Sequence, residues 1–393
     1  MQEYYLEELE KVLKDLSEIP TTINNKQILM DQNEEREMLI NQLQNKNVEL
    51  YKILQNAQTQ VKKLEKDNLT LSMAEKKLRN ENLDLKGAVR VYCRIKPSEN
   101  MNRIAYNDRE IEFDNKKFVV DRVFSQNAHN QEVFDEMELF VENVLDGYKI
   151  CIFAYGQTGS GKTYTMQGKN DGLIFKSLEK LQKITIGQNV SYNLQYVEIY
   201  NECIIDLFTG KPLYIQHDKE GVKIKDASAI ETKNINQVIE GMKNASAKRK
   251  VGETQCNVQS SRSHAIFILK VTAQTEKEVR EGVLCLIDLA GSERLSQSKA
   301  ENERLRETQN INKSLSALGN VFTSIRRKEK HVPFRDSKLT HIMQEYLTGN
   351  SRTAMIVNLN PDSINESVCS LRFATKVSEC LLGKAERNAH CIN

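Results

Sequence analysis

The spacing of hydrophobic positions changes character along this chain. Leu6, Leu9, Val12, Leu13, Leu16 and Ile19 recur at helical spacing, and Pro20 ends that run. Thr21 to Gln32 reads as a loose connection, so residues 1–32 form a short helix and a linker. From about Asn33 a stricter pattern begins. Leu43, Leu50, Ala57, Leu64, Leu71, Leu78 and Leu85 stand at every seventh position. Ile40, Asn47, Leu54, Val61, Asn68, Glu75 and Asn82 fill the companion positions three residues before them. A seam of this period predicts a coiled coil over residues 33–86, and no Pro or Gly interrupts Thr21 to Lys86. Lys62, Lys63, Glu65, Lys66, Lys76 and Lys77 keep the outer face polar, which argues against a helix buried on a globular domain. Asn47, Asn68 and Asn82 weaken the seam but fix register. Pairing with a second copy and pairing with a different chain both satisfy it.

After Gly87-Ala88 the period falls to two. Val89–Ile95 is a strand closed by Pro97, and short strands follow at Ile111–Phe113 and Phe118–Val123. Further strands are predicted at Tyr148–Ala154, Val190–Tyr200, Ala265–Gln274, Val283–Asp288 and Ala354–Leu359. Helices are predicted at Gln131–Leu145, Asn236–Ala247, Leu305–Ile325, Ser337–Leu347 and Glu366–Lys376. Such alternation predicts an α/β sheet covered on both faces over 87–376, with ligands at the carboxyl ends of the strands and a short tail, 377–393.

The chemistry concentrates after the apolar segment Tyr148–Ala154. Gly156-Gln157-Thr158-Gly159-Ser160-Gly161-Lys162-Thr163 fits the phosphate-binding pattern G-x-x-x-x-G-K-[ST]. Its glycines let backbone N–H groups turn toward phosphate oxygens, and a following helix offers its positive end. Lys162 is placed for the β- and γ-phosphates, and the Thr163 hydroxyl for Mg²⁺. Asp288-Leu289-Ala290-Gly291-Ser292-Glu293 follows a second buried strand, where a carboxylate can hold Mg²⁺ and Gly291 lets a backbone N–H approach the γ-phosphate. Asn257-Val258-Gln259-Ser260-Ser261-Arg262-Ser263-His264 adds hydroxyls and a guanidinium, the groups that position a transferring phosphoryl.

Composition narrows the alternatives. Charge is nearly balanced at +2, so bulk electrostatics do not point to nucleic acid. The polar, acidic start Met1-Gln2-Glu3-Tyr4-Tyr5 does not read as a signal peptide, and no apolar run reaches membrane-spanning length. The eight cysteines form no C-x-x-C pair, which suggests buried thiols in a reducing compartment.

Together, Gly156–Thr163, Asn257–His264 and Asp288–Glu293 resemble the P-loop, switch I and switch II of the kinesin motor domain. Arg94-Ile95-Lys96-Pro97, Tyr196–Glu202, Asn310–Leu315, His331–Thr340 and Ser370–Ala374 agree with that family, and the likeness covers about residues 88–376. A coiled coil leading into the first motor strand resembles the C-terminal-motor, minus-end-directed kinesins. Two stretches depart from the pattern: Gly87-Ala88 stands where that class usually has Gly-Asn, and Leu173-Ile174-Phe175 where kinesins commonly have Ile-Ile-Pro.

The resemblance implies a P-loop NTPase sheet of about eight strands flanked by helices. It implies an ATPase stimulated by microtubules, working in the cytoplasm on the cytoskeleton and on spindle microtubules, with no nucleic-acid or membrane partner. Arg94, Pro97 and Tyr164 line the adenine side. Gly156, Gln157, Thr158, Gly159, Ser160, Gly161, Lys162 and Thr163 hold the phosphates. Thr163, Ser261 and Asp288 hold Mg²⁺. Ser260 and Gly291 orient the attacking water, and Arg262 and Glu293 form an ion pair that closes the switches. His264 is structural. The helix after switch II relays nucleotide state, and Arg326, Arg327, Lys328, Lys330, Arg335 and Lys338 meet acidic tubulin. A non-motile cross-linker, an end-depolymerising kinesin and a P-loop enzyme acting on another substrate are the competing readings.

Overall fold

The structure is a computed structural model describing residue 11 and residues 26–86, 89–113, 115–218, 221–255, 259–293 and 302–391. The helix expected over 1–19 (apart from residue 11), its end at Pro20, and Gly87-Ala88 lie outside the described residues. The chain divides into two compact units, Met1–Glu81 and Asn82–Asn393.

In the first unit the dominant element is one helix, Lys26–Lys86, of 61 residues and so about 90 Å long. It starts earlier than the seam predicts. Residues 26–32, expected as a loose connection, contain no Pro or Gly and are mostly straight-chain side chains that cost little in a helix. Leu64, Leu71 and Leu78 on the seam are 65%, 70% and 66% exposed. Burial within the chain therefore does not explain this helix, and its apolar stripe is available to a partner.

The second unit is built on a mixed twelve-stranded sheet. One half is parallel: Glu278–Asp288, Lys149–Tyr155, Ser351–Leu359, Arg90–Ile95 and Arg122–Phe124 lie side by side in that order. The other half is antiparallel, running from Glu278–Asp288 through His264–Gln274 and Asn189–Tyr200 to Cys203–Asp206, Pro212–Asp218 and Gly221–Lys225. The last three were not foreseen; Cys203–Asp206 and Gly221–Lys225 are only four and five residues long, and Pro212–Asp218 is mostly exposed. Ala389–Cys391 also joins the sheet, antiparallel to Glu278–Arg280, so the segment 377–393 contributes a strand. The expected strand Phe118–Val123 is two: Lys116–Val119 belongs to a separate three-stranded sheet, and Arg122–Phe124 to the main one.

Helices cover both faces. Asn302–Arg326, Lys338–Leu347 and Ile364–Ser378 pack on one side, and Asn130–Leu145, Leu173–Ile184 and Ile235–Gln255 on the other. The strand Lys149–Tyr155 shows why the sheet must be covered twice. Its Cys151 and Phe153 enter one core, and Ile150, Ile152 and Ala154 the other. A strand buried on both faces needs a continuous apolar run, which this sequence supplies.

Candidate active site

Register brings the chemistry together. Ala154, near the end of the P-loop strand, pairs with Asp288 on one side and Ile356 on the other. The P-loop therefore leaves the sheet beside Asp288, at the carboxyl ends of parallel strands, where open α/β sheets bind ligands. Gly156 has φ 144°, and a Cβ there would collide with the Asn358 carbonyl oxygen, so the tight exit from the strand requires glycine. Lys162 is buried, and its Nζ donates to the carbonyl oxygens of Gly156 and Gln157, both at 2.9 Å. Burial pushes this ammonium below the ordinary lysine range, while Asp288 and Glu293 pull it back up. The helix that follows, Lys162–Met166, is short: Gly168 and Asn170 take positive φ, and a new helix starts at Leu173.

The Thr163 hydroxyl donates to Asp288 Oδ2 at 2.8 Å. Asp288 is buried, and its Oδ1 has no hydrogen-bond partner, like the neighbouring Ser160 Oγ, Gln157 Oε1 and Asn358 Oδ1. Unsatisfied buried oxygens are costly, and here they converge on the P-loop. The described residues offer no cluster of three or more His, Cys, Asp or Glu for a metal. A hydroxyl and one carboxylate suit Mg²⁺, a hard cation that keeps waters and shares its shell with phosphate. These donors fit Mg²⁺ bound together with a nucleotide.

The adenine-side residues are arranged differently from expectation. Tyr164 is half exposed, with a ring face available for stacking, and Pro97 is exposed. Arg94 is buried and turned inward. Its guanidinium donates to Asn130 Oδ1 at 2.6 Å, Thr165 Oγ1 at 3.0 Å and the Ala128 carbonyl at 2.9 Å, and it lies 5.0 Å from the Tyr164 ring centroid. Arg94 thus supports the tyrosine from beneath.

The switches also differ. Arg262 and Glu293, expected to pair, are each engaged elsewhere. Arg262 Nη1 lies 2.5 Å from Glu307 Oε2, on the helix Asn302–Arg326. Glu293 accepts from the Thr158 N–H at 2.7 Å and from its hydroxyl at 2.6 Å. The Gly291 N–H, expected to face a phosphate, donates to the Ser261 carbonyl at 2.9 Å. The physical reason is common to all three: partly buried charges and N–H groups take a partner from the protein itself. Ser260 belongs to the short turn Gln259–Arg262, while its side chain, with Asn257 and Val258, lies outside the described residues.

His264 is a stitch between segments. Its Nδ1 accepts from the Ala290 N–H at 3.0 Å, so Nε2 carries the proton and donates to Ser314 Oγ at 2.8 Å. Burial first, then Lys162 and Arg249, lower its pKa to about 3, so the ring stays neutral. This agrees with the structural role expected for it.

Sequence reasoning missed Arg249, Glu198, Glu307 and Asn358. Arg249 Nε donates to Glu198 Oε1 at 2.9 Å, its Nη2 to Ser263 Oγ at 3.3 Å, and its Nη1 lies 3.7 Å from Asp288 Oδ2. Burial opposes its charge, but Tyr196, Asp288 and Glu198 outweigh burial and raise its pKa. Arg249 thereby orients Asp288. No motif marks it; only its position near the end of Ile235–Gln255, extended beyond the expected Ala247, puts it there. Asn358 Nδ2 donates to Thr165 Oγ1 at 2.8 Å and so ties the neighbouring strand to the short helix.

Away from the P-loop, Arg326, Arg327, Lys328, Lys330, Arg335 and Lys338 are all exposed. Arg326 is paired with Glu379 at 2.6 Å, and Arg327 with Glu329 at 3.7 Å.

Comparison with known proteins fits this geometry. The kinesin motor domain family matches residues 73–380. Kinesin-like protein KIN-14N of Oryza sativa subsp. japonica is 43% identical over 374 residues, 86% of this chain and 49% of the relative. Kinesin-like protein KIN-14D of Arabidopsis thaliana is 43% identical over 365 residues, 80% of this chain and 46% of the relative. The chain thus spans about half the length of these relatives. Among solved structures, the C-terminal motor and motor homology domain of Kar3Vik1, fused to a synthetic heterodimeric coiled coil, is 36% identical with a TM-score of 0.71, covering 87% of this chain and 99% of that one. The Kar3 motor domain of Saccharomyces cerevisiae is 39% identical with a TM-score of 0.64, covering 74% and 99%. The P-loop, the sheet order and these matches lead to one conclusion: the chain belongs to the kinesin motor family.

Proposed function

We propose that this chain is a microtubule-stimulated ATPase, converting ATP and water to ADP and phosphate, and a motor directed toward the microtubule minus end. The observation that carries the reading is Asp288, buried beside Lys162, with one oxygen on the Thr163 hydroxyl and the other without a partner. Lys162 exchanges its two carbonyl partners for phosphate oxygens. Thr163 and Ser261 would hold Mg²⁺ through their hydroxyls and Asp288 through water; when bound, that ion neutralises charge developing on the phosphates. Ser260 and the Gly291 N–H orient the attacking water once Gly291 releases the Ser261 carbonyl. Arg262 and Glu293 pair when the switches close, excluding bulk water and fixing in-line geometry. Tyr164, supported by Arg94, stacks on the base beside Pro97.

Arg327, Lys328, Lys330, Arg335 and Lys338, joined by Arg326 when it leaves Glu379, offer local positive charge to acidic tubulin. That is how a nearly neutral chain engages an acidic polymer. The exposed seam of Lys26–Lys86 serves association, with a second copy or a different chain. The arm precedes the core, the layout of the C-terminal-motor kinesins that walk to the minus end, and spindle microtubules are the proposed setting.

The test is ATP turnover with and without microtubules. A rise of about tenfold or more is expected. Equal rates would point to another substrate, and binding without turnover to a cross-linker. In gliding assays on polarity-marked microtubules, filaments moving with minus ends leading would overturn the direction. Sedimentation of Leu64→Asp/Leu71→Asp should show loss of association with the core still folded; an unchanged mass removes the seam's role.

A further inference from the structure

We infer that Glu307 is the positioning residue that holds Arg262 away from Glu293, and that it makes switch closure conditional on movement of the helix Asn302–Arg326. The inference rests on the ATPase reading above.

Both carboxylate oxygens of Glu307 are in use. Oε2 takes Arg262 at 2.5 Å, and Oε1 accepts from the Tyr200 hydroxyl. The two charged side chains are only 28% and 11% exposed. Three segments therefore meet at one carboxylate: the turn Gln259–Arg262, the end of the strand Asn189–Tyr200, and the second turn of the helix. Two further contacts bind the same helix to the same neighbours. Asn310 Nδ2 donates to Asn201 Oδ1 at 3.3 Å, and Ser314 accepts from His264 at 2.8 Å. Positions 307, 310 and 314 follow helical spacing and lie on one face. The contacts at 310 and 314 are neutral, and only the one at 307 is an ion pair.

That difference has a physical consequence. Pairing Arg262 with Glu293 removes the cation from Glu307 and leaves a mostly buried carboxylate with a single tyrosine hydroxyl. Removing one member of a shielded ion pair is strongly unfavourable, because the remaining charge keeps its desolvation and loses its attraction. Closure is accordingly favourable only when Glu307 reaches water or another cation, and it can do so only if the first turns of its helix shift or unwind. Glu293 faces a matching exchange, since it must leave Thr158. Anything that repositions the helix, such as a polymer docking on its outer surface, then sets the rate of closure through Glu307.

The experiment uses the full chain with Glu307→Gln, which keeps size and an acceptor for Tyr200 but removes the charge. Turnover is measured alone and with saturating microtubules, beside wild type. The expected result is basal turnover raised roughly three- to tenfold, with the stimulated rate within about twofold of wild type. Glu307→Asp should bring the basal rate back toward wild type. Basal turnover that is unchanged, or that falls in parallel with the stimulated rate, overturns the inference, because a merely structural residue lowers both together. If Glu307→Gln does not melt as a folded protein, Tyr200→Phe replaces it: it removes the one partner that Glu307 keeps on closure, so basal turnover should fall about threefold with the stimulated rate unchanged, and an unchanged or raised basal rate, or a parallel fall of both rates, sinks the inference. Absence of microtubule stimulation in wild type would defeat the proposed function, while the basal comparison would still decide the role of Glu307.

Discussion

The P-loop and the two switches meet at the same ends of the same strands, yet they are held in opposite ways. The P-loop closes on itself: the Lys162 bonds reach back only 6 and 5 residues. The switch charges are held from afar, Arg262 by a residue 45 positions away and Glu293 by one 135 positions away. Short-range bonds hold the Lys162 ammonium within the cradle of its own loop. Long-range charged contacts have alternative partners, so their energies nearly balance and a ligand can tip them. On the proposed function, one region supplies binding and the other supplies response.

Lys162→Ala attacks the cradle and should have the largest effect. We predict turnover lowered by about 10³-fold or more, since positive charge is lost where phosphate charge develops. Steady-state ATPase assays with an accompanying thermal melt check this; normal stimulated hydrolysis in a folded variant would contradict the assignment of Lys162. Glu293→Ala tests the responsive region. Hydrolysis should fall by about 10²-fold while nucleotide affinity is not reduced. The opposite split, near-normal hydrolysis with collapsed affinity, would mean that Glu293 belongs to the cradle and that the comparison is drawn wrongly.

The smallest effect concerns the neutral stitch within the responsive region, His264 between Ala290 and Ser314. His264 has a native pKa of about 3, and unfolding returns it to the ordinary value of 6.5. Between those values the unfolded chain binds the extra proton, so stability rises with pH across that window and is lost as pH falls through it. From pH 7 to pH 5 this one group should remove about 2 kcal/mol, measured by urea unfolding. His264→Asn should flatten that part of the profile; an undiminished pH dependence in the variant would assign it to other groups.

What was legible in the sequence follows the same division. Gly156–Thr163 is read directly because its glycines, Lys162 and Thr163 stand in one contiguous pattern, although Thr158 and Thr163 also reach distant partners at Glu293 and Asp288. The strands Lys149–Tyr155 and Glu278–Asp288 are read from runs of apolar residues, and Asp288 from its place at the end of one. The long helix is read from its seam, though its start at Lys26 is not, since residues 26–32 lie before the repeat. Glu307 and Arg249 carry no local signal. Their roles come from which strand end faces which helix turn, and that is settled only by the packing of the whole sheet. Cys203–Asp206 and Gly221–Lys225 are too short for a period to be visible.

The contact between Glu293 and Thr158 also bears on how tightly a nucleotide is held. The Thr158 N–H lies in the loop proposed above to bind phosphate, and here it donates to a carboxylate, which is itself an anion. On the proposed function the protein therefore carries its own tethered competitor, present at a high effective concentration and never diluted away. A nucleotide reaches its intrinsic affinity only in the fraction of molecules whose loop is vacated, and its apparent dissociation constant is the intrinsic one divided by that fraction. Deleting the competitor should tighten binding as it abolishes closure, so the chain holds its substrate less firmly than its loop alone allows.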